Sequence, residues 1–472
     1  MKNDYPFIKL FKTIDYFYMF DVNTASIIRI NEDIYNYLED ILKGTAVYNK
    51  ELQKQIDSLK ARGFLKPNDP NIEVSHPALS FVEESLDGNI GQLILQVTQN
   101  CNLRCKYCVY SGSYVNRTHS NKRMSFETAK KAIDFYYKHN RNKEDAVIGF
   151  YGGEPLLEMD LIKRVVEYSR KLFEGKSITF NITTNATLLT EDIIRFLNDN
   201  NIGITISLDG PKAVHDNGRV FADNSTGTFE SVMKNLDRVS KVCPEYLKNI
   251  SFNAVLDTKN DFKCSSDFFS YEFMKDALVT ATTLNSNSNK EKIAYTEQFD
   301  VNYRYEIFKY YLSLIGKYKG DKISKIVKQQ VGSLKTDIHD KVTTPYLRSK
   351  VCHPSGPCIP GALRLFVNAD GNFYPCERVS ETCAAFRIGD LENGFDIEKS
   401  KALLNIGSLT KEQCKNCWAV YFCSGCASGL EDGDQLSAKK RLERCDGIRE
   451  GCITRFQEYC MLRENGYKFE GV

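Results

Sequence analysis

Three cysteines lie close together at Cys101, Cys105 and Cys108, in the spacing C-x3-C-x2-C. They directly follow a strand predicted at 92–98, so they belong to one short loop at its carboxyl end. Three thiolates on one loop can bind three irons of a cubane cluster and leave the fourth iron open for a reaction. A tetrahedral zinc would need a fourth protein ligand, and none lies nearby in the sequence. Three free thiols, or a zinc with a distant fourth ligand, are the alternatives.

The composition places these cysteines in an ordinary globular protein. The chain has 472 residues, of which 42% are hydrophobic and 26% charged. The net charge of +2 argues against a strongly basic nucleic-acid-binding protein. No apolar stretch is long enough for a membrane span, and residues 1–5 lack a signal-peptide pattern. We therefore expect a cytoplasmic protein, in which clustered cysteines are typical of metal binding.

Strands and helices are predicted to alternate through the middle of the chain. The predicted strands are 92–98, 145–151, 178–184, 203–208 and 250–256, and the predicted helices are 125–140, 160–173, 190–199 and 229–241. This alternation predicts βαβ units around a parallel sheet, and therefore an α/β fold. In parallel α/β barrels the chemistry lies on loops that follow the carboxyl ends of the strands.

Glycine and polar residues follow the predicted strands at just these places. Gly152-Gly153-Glu154-Pro155 ends the second strand, where two glycines would let the backbone approach a ligand closely. Polar residues at or after the ends of the third and fourth strands are Thr184, Asn185, Ser207, Asp209 and Arg219. An arginine here is a candidate partner for a carboxylate, because its guanidinium can bind one through two hydrogen bonds.

The cysteine motif and the Gly-Gly-Glu-Pro segment together resemble the radical S-adenosylmethionine (SAM) superfamily. The resemblance covers roughly 90–310 and implies a partial (β/α)6 TIM-like barrel. It implies that Cys101, Cys105 and Cys108 hold a 4Fe–4S cluster whose open iron chelates SAM, which is cleaved to a 5′-deoxyadenosyl radical. The residues implied to bind SAM are Tyr107, Gly152, Gly153, Glu154, Pro155, Thr184, Asn185, Ser207, Asp209 and Arg219.

Within that set, the resemblance places Tyr107 near the adenine, Glu154 on the methionyl ammonium and Ser207 on the ribose. Glu154 suits its role because a carboxylate accepts charge-assisted hydrogen bonds. An ordinary core or surface tyrosine is the alternative for Tyr107, and a surface arginine is the alternative for Arg219.

A second group of cysteines follows residue 350. Its pattern resembles the SPASM extension of radical SAM enzymes, which implies two auxiliary 4Fe–4S clusters and so three clusters in all. The resemblance assigns the first auxiliary cluster to Cys352, Cys358, Cys376 and Cys426, and the second to Cys414, Cys417, Cys423 and Cys445. The gap before Cys426 is two residues where the family has three. Two zinc sites would also use eight cysteines, and Cys383, Cys452 and Cys460 are candidate substitute ligands.

Glu377 directly follows Cys376. In sulfatase-maturing relatives an acid at that place serves as a base, which makes Glu377 a candidate catalytic residue. A surface carboxylate is the alternative interpretation.

Residues 1–67 are predicted to form a separate unit with strands at 16–20 and 26–30 and helices at 32–43 and 50–62. This order resembles a winged helix, and also the precursor-peptide recognition element of ribosomal-peptide maturases. DNA binding is the alternative, although no basic recognition helix is present. The further predicted divisions are a linker at 68–90, a radical SAM partial barrel at 91–310, a helical bridge at 311–350 and a SPASM domain at 351–472.

These resemblances together imply a radical maturase of a ribosomal peptide, similar to the sactipeptide and ranthipeptide thioether synthases. Its expected partners are a Cys-containing precursor peptide, whose leader residues 1–67 would bind, and a flavodoxin- or ferredoxin-type electron donor, with no nucleic acid and no membrane. The same machinery could instead form carbon–carbon cross-links, or formylglycine in a sulfatase. A non-enzymatic alternative is an iron–sulfur redox sensor with a winged helix.

Overall fold

The computed structural model describes residues 5–110, 119–271, 274, 277–284, 293–320, 323–344, 346, 348–354, 356 and 358–470. The strands are β1 (Ile8–Lys12), β2 (Phe17–Asp21), β3 (Ser26–Ile30), β4 (Glu73–Val74), β5 (Gln92–Thr98), β6 (Asp145–Gly152), β7 (Ser177–Thr184), β8 (Ile202–Ser207), β9 (Ile250–Leu256), β10 (Leu278–Thr283), β11 (Val351–Cys352), β12 (Leu365–Val367), β13 (Asn372–Tyr374), β14 (Gly389–Asp390), β15 (Gly394–Phe395), β16 (Glu431–Asp432) and β17 (Gln435–Leu436). The predicted α/β class is confirmed.

Helices connect most of these strands. They are α1 (Glu32–Lys43), α2 (Lys50–Ala61), α3 (Val82–Gly88), α4 (Phe126–His139), α5 (Met159–Leu172), α6 (Glu191–Asp199), α7 (Lys212–Gly218), α8 (Phe229–Val242), α9 (Phe262–Phe268), α10 (Glu297–Leu314), α11 (Lys325–Val331), α12 (Asp340–Thr343), α13 (Ile397–Leu404), α14 (Lys411–Lys415), α15 (Ala438–Glu443) and α16 (Cys445–Glu464). None of the described helices is both long and apolar enough to span a membrane.

The central sheet is mixed and joins two parts of the chain that are far apart in sequence. Its strand order is β10-β9-β8-β7-β6-β5-β12-β13-β14-β15. The strands from β10 to β5 pair in parallel, as does β12 with β5, whereas β13 to β15 continue antiparallel. The five predicted barrel strands are confirmed to within one residue at each end, and β10 was not predicted. The closure of these strands into a six-stranded partial barrel stays a prediction.

The amino-terminal unit contains a strand, β1, that the sequence did not predict. β1, β2 and β3 form an antiparallel sheet, followed by α1 and α2. The side chain of Asn31 accepts a hydrogen bond from the backbone N–H of Ile34 and so caps α1. Gly44 ends that helix in the left-handed conformation. The resemblance of this unit to a winged helix stays a prediction.

This amino-terminal sheet is buried on both faces. One face packs against α1 and α2 through Met19 and Leu38. On the other face the ring of Phe20 lies 5.5 Å from that of Phe422 and 5.0 Å from that of Phe456, between ring centroids. Trp418 lies 6.5 Å from Phe20 in the same cluster. The unit is therefore packed onto the cysteine-rich region rather than held as a separate body.

Two predicted connecting segments contain regular structure. The segment predicted as a linker at 68–90 includes β4 and α3, and α3 packs through Val82 and Leu86 against Ala362 and Leu404. The boundary predicted at residue 310 falls inside α10, and the helical bridge after it contains α11, a π-helical turn at Lys335–His339 and α12.

The cysteine-rich region contains more regular structure than its many cysteines, glycines and prolines suggest. It adds four strands to the central sheet and ends in α16, a helix of 20 residues. α16 was missed although its buried residues Cys452, Phe456, Tyr459 and Cys460 recur at helical spacing, because the cysteines and glycines of this region were interpreted as signs of irregular structure. Phe456 contacts Phe11 of the amino-terminal sheet, and the Cys452 thiol lies near the carbonyl of Phe422.

Replacing Phe20 by alanine tests the contact between the two regions. The side chain is fully buried among three aromatic rings, so its loss should lower the free energy of unfolding by about 3–5 kcal/mol. Thermal or urea unfolding of the intact chain measures this. Ile14→Ala is the control, because Ile14 is 98% exposed and its truncation should change stability little. Equal stability of the two variants would contradict the packing described.

Candidate functional site

The loop that carries Cys101, Cys105 and Cys108 is locked against the end of β6. The backbone N–H of Gly153 donates to the carbonyl of Thr98 at 2.8 Å, and that of Glu154 donates to the carbonyl of Asn100 at 2.9 Å. A Cβ atom on Gly152 would lie 2.0 Å from the Thr98 carbonyl oxygen, and one on Gly153 would lie 2.0 Å from that of Asn100. Both glycines are therefore needed for contact with the cysteine loop, whereas the sequence analysis explained them by approach to a ligand.

The three thiols of this loop differ in burial. Cys105 is buried, and Cys101 and Cys108 are half-buried. Burial raises the pKa of Cys101 to about 12, with a further contribution from the charge of Glu154. Burial also raises the pKa of Cys105 to about 11, against the opposing charge of Arg219. Because metal ligation requires the thiolate, cluster assembly here must displace bound protons.

Glu154 links the ends of β6 and β7. Its side chain is buried, and its carboxylate accepts hydrogen bonds from the Thr184 hydroxyl at 2.6 Å and the Asn185 backbone N–H at 2.8 Å. The Asn185 side chain in turn donates to Asn102 at 2.9 Å, beside Cys101. Burial raises the pKa of Glu154, and the hydrogen bonds oppose that rise. The structure thus brings Glu154, Thr184 and Asn185 together at the cysteine loop.

A buried ion pair holds the aromatic residue between the second and third cysteines. Arg219 donates to the two carboxylate oxygens of Asp209 from Nε at 3.0 Å and Nη2 at 3.2 Å. The Tyr107 hydroxyl also donates to Asp209, and the guanidinium of Arg219 lies 5.3 Å from the centre of the Tyr107 ring. Arg219 thus pairs with a carboxylate through two hydrogen bonds, as the sequence suggested, and that carboxylate is Asp209 of this chain.

Pro155 and Ser207 lie at the ends of the neighbouring strands. Pro155 is buried at the start of the single turn that follows β6. Ser207 is the half-buried last residue of β8, paired with Asn253 of β9 and two residues before Asp209. Nine of the ten residues predicted to bind SAM therefore lie on the cysteine loop or at, or just after, the ends of β6, β7 and β8, and the tenth, Arg219, follows α7.

The later cysteines form two groups. Cys358, Cys376 and Cys426 are near neighbours, and their mutual charge interactions add to the burial that raises the pKa of Cys376 to about 11. Cys414, Cys417, Cys423 and Cys445 line a cavity of about 260 Å³, which we call the thiol cavity. Cys426 also lines it, so it lies between the two groups.

Cys352 lies beside the second group and not the first, to which the resemblance assigned it. It packs with Cys414 and Val420 in a small apolar cluster. The cause is local pairing, because β11 runs parallel to β4 with Cys352 opposite Val74. This fixes Cys352 next to α14, which carries Cys414.

The shape of these groups bears on which metal they fit. Within the described part of the chain, no three His, Cys, Asp or Glu side chains converge on one point as a single metal ion requires. The thiols of the second group instead surround a space several times the roughly 30 Å³ of one water molecule. Thiolates spread around a cavity fit a multi-atom iron–sulfur cluster better than a zinc ion bound at about 2.3 Å.

The three candidate substitute ligands are separated by the fold. Cys452 lies near Cys417 and Cys423, with its Sγ atom 3.8 Å from the carbonyl of Phe422. Cys383 lies near Glu431 and Cys460 near Glu464, away from both groups. Of the three, Cys452 lies nearest the second group, although it lines a neighbouring cavity rather than the thiol cavity.

Glu377 is held by arginines. Its Oε1 atom lies 2.8 Å from Nη1 of Arg364 and 3.6 Å from Nε of Arg378, and its side chain is 12% exposed. The role of Glu377 as a base stays a prediction.

A polar cluster beside the cysteine loop was missed by the sequence analysis. Glu381 accepts hydrogen bonds from Gln96 at 2.7 Å and from the Tyr110 hydroxyl at 3.0 Å. The rings of Tyr110 and His119 lie 5.8 Å apart, and burial lowers the pKa of His119, so that its ring is neutral at pH 7. Gln96 is fully buried, and it interrupts the apolar residues of β5 between Leu95 and Val97. A polar residue at such a place indicates a buried hydrogen bond, and this was the signal available in the sequence.

Comparison with known proteins identifies the central part of the chain. Residues 95–261 match the model of the Radical SAM superfamily, so this segment is a radical SAM domain. An uncharacterized protein of Methanocaldococcus jannaschii, MJ0907, is 37% identical over 140 residues, which are 30% of this chain and 46% of that protein. The chain thus spans less than half the length of that relative.

Other relatives match over more of the chain. A cysteine-type anaerobic sulfatase-maturating enzyme of Clostridium novyi is 25% identical over 73% of this chain and 89% of its own length. The radical SAM cyclopropyl synthase TigE of Paramaledivibacter caminithermalis is 25% identical over 57% of this chain and 58% of its own length. The solved structure of native anSMEcpe with bound AdoMet matches the fold with a TM-score of 0.56 at 21% identity, over 79% of this chain and 99% of that one.

Gly153→Ala tests whether the cysteine loop depends on contact with β6. The added methyl group would overlap the Asn100 carbonyl, so we expect a loss of about 3 kcal/mol of stability and faster amide hydrogen exchange in residues 99–108. Gly451→Ala is the matched control. Its methyl group meets no atom within 4 Å, and alanine is favoured over glycine in a helix by about 0.5–1 kcal/mol. Unchanged exchange in Gly153→Ala would show that the loop is held in another way.

Proposed function

We propose that this chain is a radical SAM maturase that installs thioether links between a cysteine sulfur and a carbon in a ribosomally made precursor peptide. The observation that carries this proposal is the docking of the amino-terminal sheet, through Phe20, onto the 418–422 segment between Cys417 and Cys423. The cysteine-rich region thus carries a unit with an open strand edge. A peptide-modifying enzyme needs such a unit to hold its substrate, whereas a domain that only cleaves its cosubstrate does not.

The proposed cofactors are SAM and three 4Fe–4S clusters. Cys101, Cys105 and Cys108 would hold the first cluster, and the two groups of later cysteines would hold the auxiliary clusters, with Cys352 assigned beside Cys414. When bound, these groups supply a 5′-deoxyadenosyl radical that takes a hydrogen atom from the peptide, and they accept the electron released when the thiol loses its proton and the sulfur bonds to that carbon.

The residues of the chain hold this site in place. Glu154 presents a buried carboxylate next to Cys101 and would accept hydrogen bonds from the methionyl ammonium. Asp209 and Arg219 fix the hydroxyl and the ring of Tyr107, which would cover the adenine. Ser207 would contact the ribose from the end of β8. Each of these groups is fixed by neighbouring residues before SAM binds, so little of the binding energy is lost in ordering them.

The edge of the amino-terminal sheet is the proposed docking place of the leader peptide. Among the described residues β3 pairs with β2 and has no strand on its other side. An extended leader peptide can add to such an edge through main-chain hydrogen bonds, with side-chain contacts that give specificity. Binding there would hold the core peptide near the radical SAM domain at high effective concentration. A flavodoxin- or ferredoxin-type protein would supply the electrons.

Formylglycine formation in a sulfatase is the second candidate function. It is favoured by the relative from Clostridium novyi, which is named for that activity and aligns over 89% of its length. TigE likewise supports a carbon–carbon bond-forming variant. Mass spectrometry of the modified peptide separates a thioether from formylglycine, since a thioether retains the sulfur and removes two hydrogens, whereas formylglycine made from cysteine loses the sulfur. A carbon–carbon link also removes two hydrogens but leaves the thiol free, so alkylation of free cysteines before the measurement separates it from a thioether.

Replacing Cys101, Cys105 and Cys108 together by alanine tests the cluster assignment. Anaerobically reconstituted wild-type protein should hold about twelve irons, and the triple variant about eight, because one of three 4Fe–4S clusters is lost. The triple variant should release no deoxyadenosine from SAM, since no open iron remains to bind it. Iron analysis and chromatography measure both. About two tightly bound zincs in the wild-type protein would contradict the assignment.

Hydrogen exchange of the intact protein tests the docking of the leader. Addition of a Cys-containing candidate precursor peptide should slow amide exchange in residues 26–30 by at least about tenfold, because the open edge becomes hydrogen-bonded. Residues 161–169 of α5 are the internal control and should not change. Deleting residues 1–67 is a poorer test, because it would expose the rings that Phe20 covers. Protection elsewhere, with none in β3, would refute the docking site.

A further inference from the structure

The thiol cavity has an unusual set of charged residues. Its described lining includes the cysteines Cys414, Cys417, Cys423, Cys426 and Cys445 and the arginines Arg441, Arg444 and Arg449, and it includes no Asp, Glu or Lys. Any group bound in this cavity is therefore surrounded by positive side chains and by thiols. Such a lining selects for a group that carries net negative charge.

Arg441 differs from the other two arginines in its burial. Its side chain is 5% exposed, whereas Arg444 is exposed and Arg449 lies 2.5 Å from a carboxylate oxygen of Asp446. Arg441 comes from α15, where Ser437 caps the helix and fixes its direction toward the cavity. The charge of Arg441 is thus shielded neither by solvent nor by a neighbouring carboxylate of its own helix.

The polar contacts of Arg441 lead to the cysteines. Its Nε donates to the hydroxyl of Thr410 at 3.0 Å, and its Nη2 lies 4.0 Å from Sγ of Cys414. The same Thr410 hydroxyl lies 3.3 Å from Sγ of Cys414. Burial raises the pKa of Cys423 and of Cys445, and the charge of Arg441 opposes that rise at both.

A buried arginine without a carboxylate partner is costly unless another negative group compensates it. Among the described residues no carboxylate lies within 4.0 Å of its guanidinium, and its contacts are a hydroxyl and a thiol. When the cysteines are thiolates bound to metal, their negative charge, which lies in the cavity itself, compensates the positive charge of Arg441. The position of Arg441 is therefore explained by the ligated state of this cysteine group.

We propose that Arg441 is a positioning residue that supplies the buried counter-charge of an iron–sulfur cluster in the thiol cavity and raises the reduction potential of that cluster. This rests on the proposed function, which assigns an auxiliary cluster to the cavity. Reduction adds negative charge, and a nearby cation in a medium of low dielectric stabilises the reduced state more than the oxidised state. The hydroxyl of Thr410 lies close enough to the sulfur of Cys414 to donate a hydrogen bond to its thiolate, which would stabilise the reduced cluster further.

The test is a redox titration of Arg441→Met in the background of the Cys101, Cys105 and Cys108 triple variant, so that only auxiliary clusters contribute. We expect the iron content to be unchanged. The midpoint potential of one cluster should fall by about 59 mV, which at a fixed applied potential changes the ratio of oxidised to reduced cluster tenfold. Arg441→Lys keeps the charge and should retain most of the original potential. Lys440→Met is the matched control, since it removes one exposed positive charge from the same helix and should leave both potentials unchanged.

Each result has a distinct meaning. Unchanged potentials in Arg441→Met, with the clusters present, would overturn the role of Arg441 and leave the proposed function standing. If Arg441→Met loses about four irons and Arg441→Lys does not, the positive charge at residue 441 is needed to retain the cluster, which would support its role as counter-charge. The same loss from both variants would overturn the electrostatic role in favour of packing. Absence of a cluster from the cavity of the wild-type protein would overturn the cluster assignment itself.

Discussion

The contact between the end of β6 and the cysteine loop is the constraint on which the site depends. Two backbone hydrogen bonds and two glycines bring Thr98 and Asn100 so close to β6 that no side chain fits between them. Because the loop is fixed there, its thiols stay near Glu154, which in turn holds the end of β7. A site that would bind three irons of one cluster needs its thiols held to a fraction of an ångström, and backbone contacts are stiffer than side-chain contacts.

β5 carries a second constraint, since it is shared by two regions of the chain. It pairs with β6 on one side and with β12 on the other, so that the radical SAM domain and the cysteine-rich region form one sheet. Glu381 of the cysteine-rich region is hydrogen-bonded to Gln96 of β5. The polar cluster beside the cysteine loop is thus built from both regions.

The sequence predicted the parts of the fold that depend on local pattern. The barrel strands and their helices follow from apolar runs with polar ends, and Asn31 and Gly44 mark both ends of α1. It did not predict where Cys352 lies, because that depends on the pairing of β11 with β4. It also did not predict α16, because the cysteines and glycines along that helix were interpreted as signs of irregular structure. The pairing of Arg219 with Asp209 was also missed, although Asp209 was among the candidate residues. A carboxylate ten residues away in the chain gives no sign of contact until the fold is known.

The pairing of β12 with β5 also bears on how the chain folds as it is made. About 270 residues separate the two strands, so at roughly 5–20 residues per second β12 is synthesised tens of seconds after β5. During that time the β5 edge of the parallel sheet lacks its partner, and an unpaired strand edge promotes aggregation. The sheet can therefore be completed only after residue 367 has been synthesised, and pairing over such a distance in sequence is intrinsically slow.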